Sequence, residues 1–171
     1  PEVAVNLVMA SLYAILAMNV LTLVYTFLQH LTLTLKQTFR PRLLAAFTFV
    51  GVIFTMAAGN LGTLKLLLRP EVAMDPNRWY WYPTRIMGES ANGAGGAINE
   101  MPIFSFLYGD LHAHIVGLLP VSLFIVAAWL LLSTEKRRWG LALGVTSAII
   151  YMTNTWDVLL YVPLGAVLVL W

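Results

Sequence analysis

The chain has 171 residues, 60% hydrophobic and 11% charged, with a formal net charge of +2. A soluble globular chain carries about 25% charged residues, so this composition excludes a solvated surface and requires lipid to cover most of the molecule. The basic excess is too small, and too confined to loops, to mark a nucleic-acid binder; the absence of cysteine excludes a disulfide framework, a thiolate nucleophile and a cysteine metal site.

Five apolar runs follow in chain order, at about residues 3–28, 43–64, 115–132, 140–156 and 158–171. A run of ~20 residues suffices to cross a bilayer. The expected fold is all-α: a polytopic transmembrane helix bundle with a long non-cytoplasmic loop at 65–114 that contains a short interfacial helix. The runs are apolar nearly all round, so periodicity does not orient them. The loops do. The loop at 29–42 holds Lys36, Arg40 and Arg42 and no acid, and the loop at 133–139 sets Lys136, Arg137 and Arg138 against Glu135. Short loops rich in Lys and Arg stay cytoplasmic. Two crossings separate these loops, so both fall on one side, as that rule requires. The outer stretch then carries four Lys/Arg and five Asp/Glu. The expected location is the cell's inner membrane. Pro1 at the start and an apolar run ending at Trp171 suggest one segment of a larger polytopic protein.

Within the outer stretch, Trp79 to Tyr82 are all aromatic, Gly88 to Gly96 read as a glycine-rich loop, and 101–108 is apolar but too short to span. That last piece is expected to lie in the interface or dip back into the protein.

Polar chemistry gathers where the third run begins. Asn99 and Glu100 precede Asp110, His112 and His114, so two acids and two imidazoles fall within sixteen residues. If the segment is extended, Asp110, His112 and His114 point the same way; if it is helical, Asp110 and His114 share a face and His112 turns away. Either arrangement could bind a divalent cation through Asp110, His112 and His114. Either could also set a carboxylate as general base, with a histidine holding phosphate. The plain structural alternative is a polar helix start, with Asp110 as N-cap and the histidines wetted at the interface. Ionisable groups are costly at a membrane boundary and tend to be functional, which favours the chemical reading.

A second cluster comprises Asn154, Thr155, Trp156 and Asp157. Asn154 and Asp157, three apart, share a helix face; the alternative is a helix–helix turn in which Asp157 caps the fifth helix. In a third, Tyr80, Trp81, Tyr82, Pro83, Thr84 and Arg85 read either as an aromatic belt at headgroup depth or as Arg85 gripping a phosphate beside stacking rings such as Tyr82. His30 could ligate a tetrapyrrole, but a lone interfacial histidine is more often polar cover. Asn60, between Gly59 and Gly62, reads as helix packing.

Taken in order, YWYPTR at 80–85, INEMPIFSF at 98–106, GDLHAH at 109–114 and NTWD at 154–157 resemble the YYY-domain family, very hydrophobic membrane proteins of Chloroflexus-like bacteria and archaea. The resemblance covers residues 79–161. Two positions depart from it: Ala113 stands where the family carries Pro between the histidines, and Val158, Leu159, Leu160 and Tyr161 stand where it carries Phe-Pro-Thr-Tyr. The family is similar in layout to the C-type integral-membrane glycosyltransferases, which take a sugar from a polyprenyl-phosphate lipid outside the cytoplasmic leaflet. That similarity implies Asp110 as general base, with Glu100 as a second acid or a partner to a cation. It implies His112, His114 and Arg85 on the donor phosphate, with Tyr82, Asn99, Asn154 and Asp157 completing the pocket. A rival expectation is an accessory or scaffold subunit that packs against other membrane subunits of a photosynthetic or respiratory complex. A transporter fits less well, because the ionisable groups sit at helix ends and not at the midplane.

Overall fold

The computed structural model describes residues 2–36, 40–58, 68, 102–109 and 112–170. Every element among them is helical. Helix α1 spans Glu2–Thr34, α2 Pro41–Ile53, α3 Pro102–Tyr108, α4 Ala113–Thr134, α5 Arg138–Thr153 and α6 Thr155–Leu170. A π-helical turn, Phe54–Ala58, continues α2.

Helix ends follow local chemistry. The first helix runs past the apolar limit at 28 to Thr34, with the Thr32 and Thr34 hydroxyls donating to the carbonyls of Gln29 and His30. It stops where Lys36 turns left-handed at φ 51°. Pro41 opens α2 as its first helical residue, where a missing N–H costs nothing. Glu135 closes α4 in a left-handed cap, its N–H donating to the Leu131 carbonyl at 2.8 Å.

Side-chain contacts fix the directions. On α1 and α2, Val24 faces Gly51 and Tyr13 reaches Met56, so the two run antiparallel. Asn19 donates its amide to Ser122 at 2.8 Å and His30 meets Trp129 edge-on at 5.2 Å, so α1 and α4 run parallel. Gly117 near the start of α4 lies against Asn154, and Gly140 near the start of α5 lies against Val169; α4, α5 and α6 therefore alternate. Lys36, Arg40 and Arg42, and the segment Lys136–Arg138, fall at one end of the bundle. The start of α4, α3 and the α5–α6 junction fall at the other.

Two packed centres hold the bundle. Met9, Leu16, Val20, Met56, Phe106 and Ile115 bury together between α1, the π turn, α3 and α4. Phe124, Ala127, Leu143 and Ile150 do so between α4, α5 and α6. Lipid is as apolar as leucine, so shape complementarity and hydrogen bonds hold such helices together. Glycine supplies the close approach: a Cβ on Gly165 would come within 3.1 Å of the Phe124 ring, and one on Gly51 within 3.0 Å of Val24.

Among the described residues three helices are long and apolar enough to cross a membrane: Val3–Thr34, Pro41–Ala58 and Ala113–Thr134. Helices α5 and α6 have 16 residues each. At 1.5 Å per residue α5 is about 24 Å long, short of a hydrocarbon core of ~30 Å, and α5 and α6 form a hairpin against α4. Within the segment at 101–108 expected to be interfacial, Pro102–Tyr108 forms helix α3. Its inner face buries Ser105 and Phe106 while Leu107 and Tyr108 stay exposed.

Candidate functional site

The start of α4 carries the two histidines. His112 is the N-cap, with extended backbone at φ −69° and ψ 155°, and its carbonyl accepts the N–H groups of Ile115 and Val116 at 3.0 and 3.2 Å. His114 lies in the first turn. Their rings sit 5.4 Å apart and both residues are exposed. The cap is thus His112, two residues later than the Asp110 cap considered from sequence, and the segment is neither wholly extended nor wholly helical. Ala113 takes the first helical position, which tolerates proline best. An alanine there in place of the resembling family's proline leaves the helix start intact.

From His114 a stripe runs down α4 at helical spacing through Gly117, Val121, Phe124 and Ala128. Val121, Phe124 and Ala128 pack toward α5 and α6. Gly117 meets the polar junction: a Cβ there would lie 3.2 Å from Asp157 Oδ2 and 3.5 Å from Asn154 Cβ. Asn154 and Asp157 therefore contact α4 one turn below His114.

The junction is a capping arrangement. Asn154 ends α5 in extended backbone, its N–H donating to the Ile150 carbonyl, and at once begins α6. Its Oδ1 accepts the Trp156 N–H at 3.3 Å, and its carbonyl accepts the Asp157 N–H at 3.2 Å. In a capping box the acid at the third helical position returns to the backbone N–H of the cap. Here that N–H is already used by α5, so Asp157 Oδ2 accepts the Asn154 side-chain amide instead, at 2.9 Å. On the helix–helix-turn alternative Asp157 caps the helix of the fifth apolar run; in the structure Asn154 caps that helix, α6, and Asp157 sits in its first turn, where a negative charge suits the helix dipole.

At the same end, between the first half of α1 and α3, a cavity of about 400 Å³ is lined by residues that include Asn6, Met9, Tyr13, Phe106, Tyr108 and Gly109. Gly109 ends α3 with φ +73°, a left-handed turn suited to glycine. Among the described residues the lining includes Phe106 and Gly109 of the sequence motifs but not His112, His114, Asn154 or Asp157. The structure thus joins His112 with His114 and Asn154 with Asp157, and sets the cavity on the α1 side of α4, away from the Asn154–Asp157 pair. Asp110, Glu100, Asn99, Arg85 and Tyr82 lie outside the described residues, as do Asn60 and the aromatic and glycine-rich stretches at 79–96. Among the described residues no group of three or more His, Asp or Glu side chains could hold a metal ion. The expected cation site needs Asp110 beside His112 and His114.

A family model described as Uncharacterized membrane protein (DUF2298) matches residues 1–171. The chain belongs to this family. Comparison of this DUF2298 member with curated proteins and with solved structures finds no match. Membership and the three long apolar helices establish an integral membrane protein in a lipid bilayer.

Sequence reasoning missed Gly117, whose lack of a side chain admits the Asn154–Asp157 pair to α4. A glycine three residues after His114 was the available signal. It also missed the π turn at Met56 and the Asn19–Ser122 bond within the bilayer, which involve partners 43 and 103 residues apart.

Proposed function

We propose that this protein is a glycosyltransferase-like membrane enzyme that takes a sugar from a polyprenyl-phosphate lipid at the non-cytoplasmic face. One observation carries the reading: the His112–His114 pair, the Asn154–Asp157 pair and the cavity that reaches Gly109 all occupy one end of the bundle, opposite the basic segments. By the charge rule the basic end is cytoplasmic, which puts this end outside, where lipid-linked donors are used.

In the proposed step the Asp110 carboxylate takes the proton of an acceptor hydroxyl. The hydroxyl oxygen attacks the anomeric carbon, and the bond from that carbon to the phosphate oxygen breaks. Polyprenyl phosphate leaves with the electron pair. His112, His114 and Arg85 hold the departing phosphate through charge-assisted hydrogen bonds. Glu100 serves as a second acid, and Tyr82, Asn99, Asn154 and Asp157 shape the pocket. A divalent cation on Asp110, His112 and His114 would add neutralising charge at the same phosphate.

The test uses the full-length protein in membranes with a radiolabelled polyprenyl-phosphate sugar. Transfer that is lost in Asp110→Asn, in a protein that still folds and inserts, supports the proposal. Undiminished transfer in that variant removes Asp110 from the mechanism. No transfer by the wild type, together with stoichiometric recovery in a larger membrane complex, turns the reading to a scaffold subunit.

A further inference from the structure

The basic end of the bundle holds a second feature. Between α1 and α2 lies an apolar groove of about 230 Å³, lined by Leu28, Leu31, Thr32, Leu44 and Phe47. Its described lining is apolar apart from Thr32, whose hydroxyl donates to the Gln29 carbonyl, so it suits a hydrocarbon chain.

Basic residues stand at the groove's headgroup end. Lys36 follows the end of α1, four residues after Thr32, and Arg40 is the N-cap of α2, four residues before Leu44. Arg42 follows in the first turn of α2. All three are exposed, and among the described residues none of them pairs with an acid. The local electrostatics is unbalanced. The first turn of α2 contains no acidic residue and its cap makes no side-chain hydrogen bond, so the positive end of the helix dipole adds to the arginine charges and does not offset them. An apolar channel between two helix ends that carry three cations matches one amphiphile: an acyl chain carrying a negative headgroup. A zwitterionic lipid would fill the groove equally but leave the charge uncompensated.

We infer that this protein binds an anionic phospholipid at its basic end, with an acyl chain between α1 and α2 along Leu28, Leu31, Leu44 and Phe47, and the phosphate at Lys36, Arg40 and Arg42. The site is separate from the proposed active end and does not depend on the enzyme reading.

Native mass spectrometry of the full-length protein, released from nanodiscs of equal parts phosphatidylglycerol and phosphatidylcholine with identical acyl chains, tests it. Each basic residue near an anionic headgroup contributes roughly fivefold at low salt, so retention of phosphatidylglycerol should exceed that of phosphatidylcholine by about tenfold or more. Replacing Lys36, Arg40 and Arg42 together by Gln should bring the ratio close to one. Leu31→Trp, which fills the groove and keeps the charges, should also lower phosphatidylglycerol retention. Should the triple variant fail to fold, the wild type carries the test alone, since its preference should fall as salt is raised in the nanodisc buffer. Equal retention of the two lipids by the wild type overturns the inference. So does a preference that survives the triple variant or high salt. Loss with the charge variant but full retention in Leu31→Trp also overturns it, by reducing the site to surface adsorption.

Discussion

Asn154 donates its side-chain amide to Asp157 Oδ2 at 2.9 Å, and Gly117 of the neighbouring helix lies directly against the pair. One residue thus ends α5, caps α6 and orients a carboxylate toward α4.

Loss of a cap side chain costs about 1 kcal/mol, and Asn154→Ala should lower stability by about that amount. Asn154→Asp keeps an acceptor for the Trp156 N–H but sets two carboxylates together, so it should be at least as damaging as alanine. Thermal unfolding of the purified protein in detergent, followed by near-ultraviolet circular dichroism, gives the order. An aspartate variant as stable as the wild type would mean that the amide-to-carboxylate bond is unimportant.

Gly117→Ala brings a methyl group within 3.2 Å of Asp157 Oδ2. Crowding of this kind in a packed contact costs about 1–3 kcal/mol. Because the clash is with one side chain, Asp157→Ala should relieve it. A double-mutant cycle should therefore show coupling of at least about 0.5 kcal/mol, the range for residues in contact. Additive losses would indicate that the methyl group is accommodated by helix displacement and not by Asp157.

Tyr13 donates its hydroxyl to the Met56 carbonyl at 3.2 Å inside the π turn. A π turn shifts the backbone register, and within a bilayer no water is available to satisfy a carbonyl that lacks a partner. Tyr13→Phe should cost about 0.5–1.5 kcal/mol, the usual net worth of one hydrogen bond. It should also speed amide exchange over Phe54–Ala58 while leaving α5 and α6 unchanged. Uniform exchange across the bundle would argue against a local role for this bond.

The apolar runs announced most helices because a span of lipid-exposed backbone needs length and hydrophobicity and little else. Their ends were less legible. α1 runs on to Thr34, with the Thr32 and Thr34 hydroxyls donating to its own carbonyls, a bond that composition does not reveal. At the second junction, Asn154, Thr155 and Asp157 are all good capping residues. Which one caps depends on where α5 stops against α4. The two histidines do stand at a helix start, as their sequence position suggested. Their division into a cap and a first-turn residue follows from backbone angles that spacing cannot supply.

Composition and loop charge alone determined that this protein lives in a bilayer, that it is helical, and that its two basic segments share one end, since charge and hydrophobicity act locally through the cost of entering lipid. Which helix faces meet was decided only in three dimensions. Helices apolar on every side carry no preferred face, so the choice rests on where a glycine such as Gly117, Gly51 or Gly165 lets another backbone approach, and on isolated polar partners such as Asn19 and Ser122.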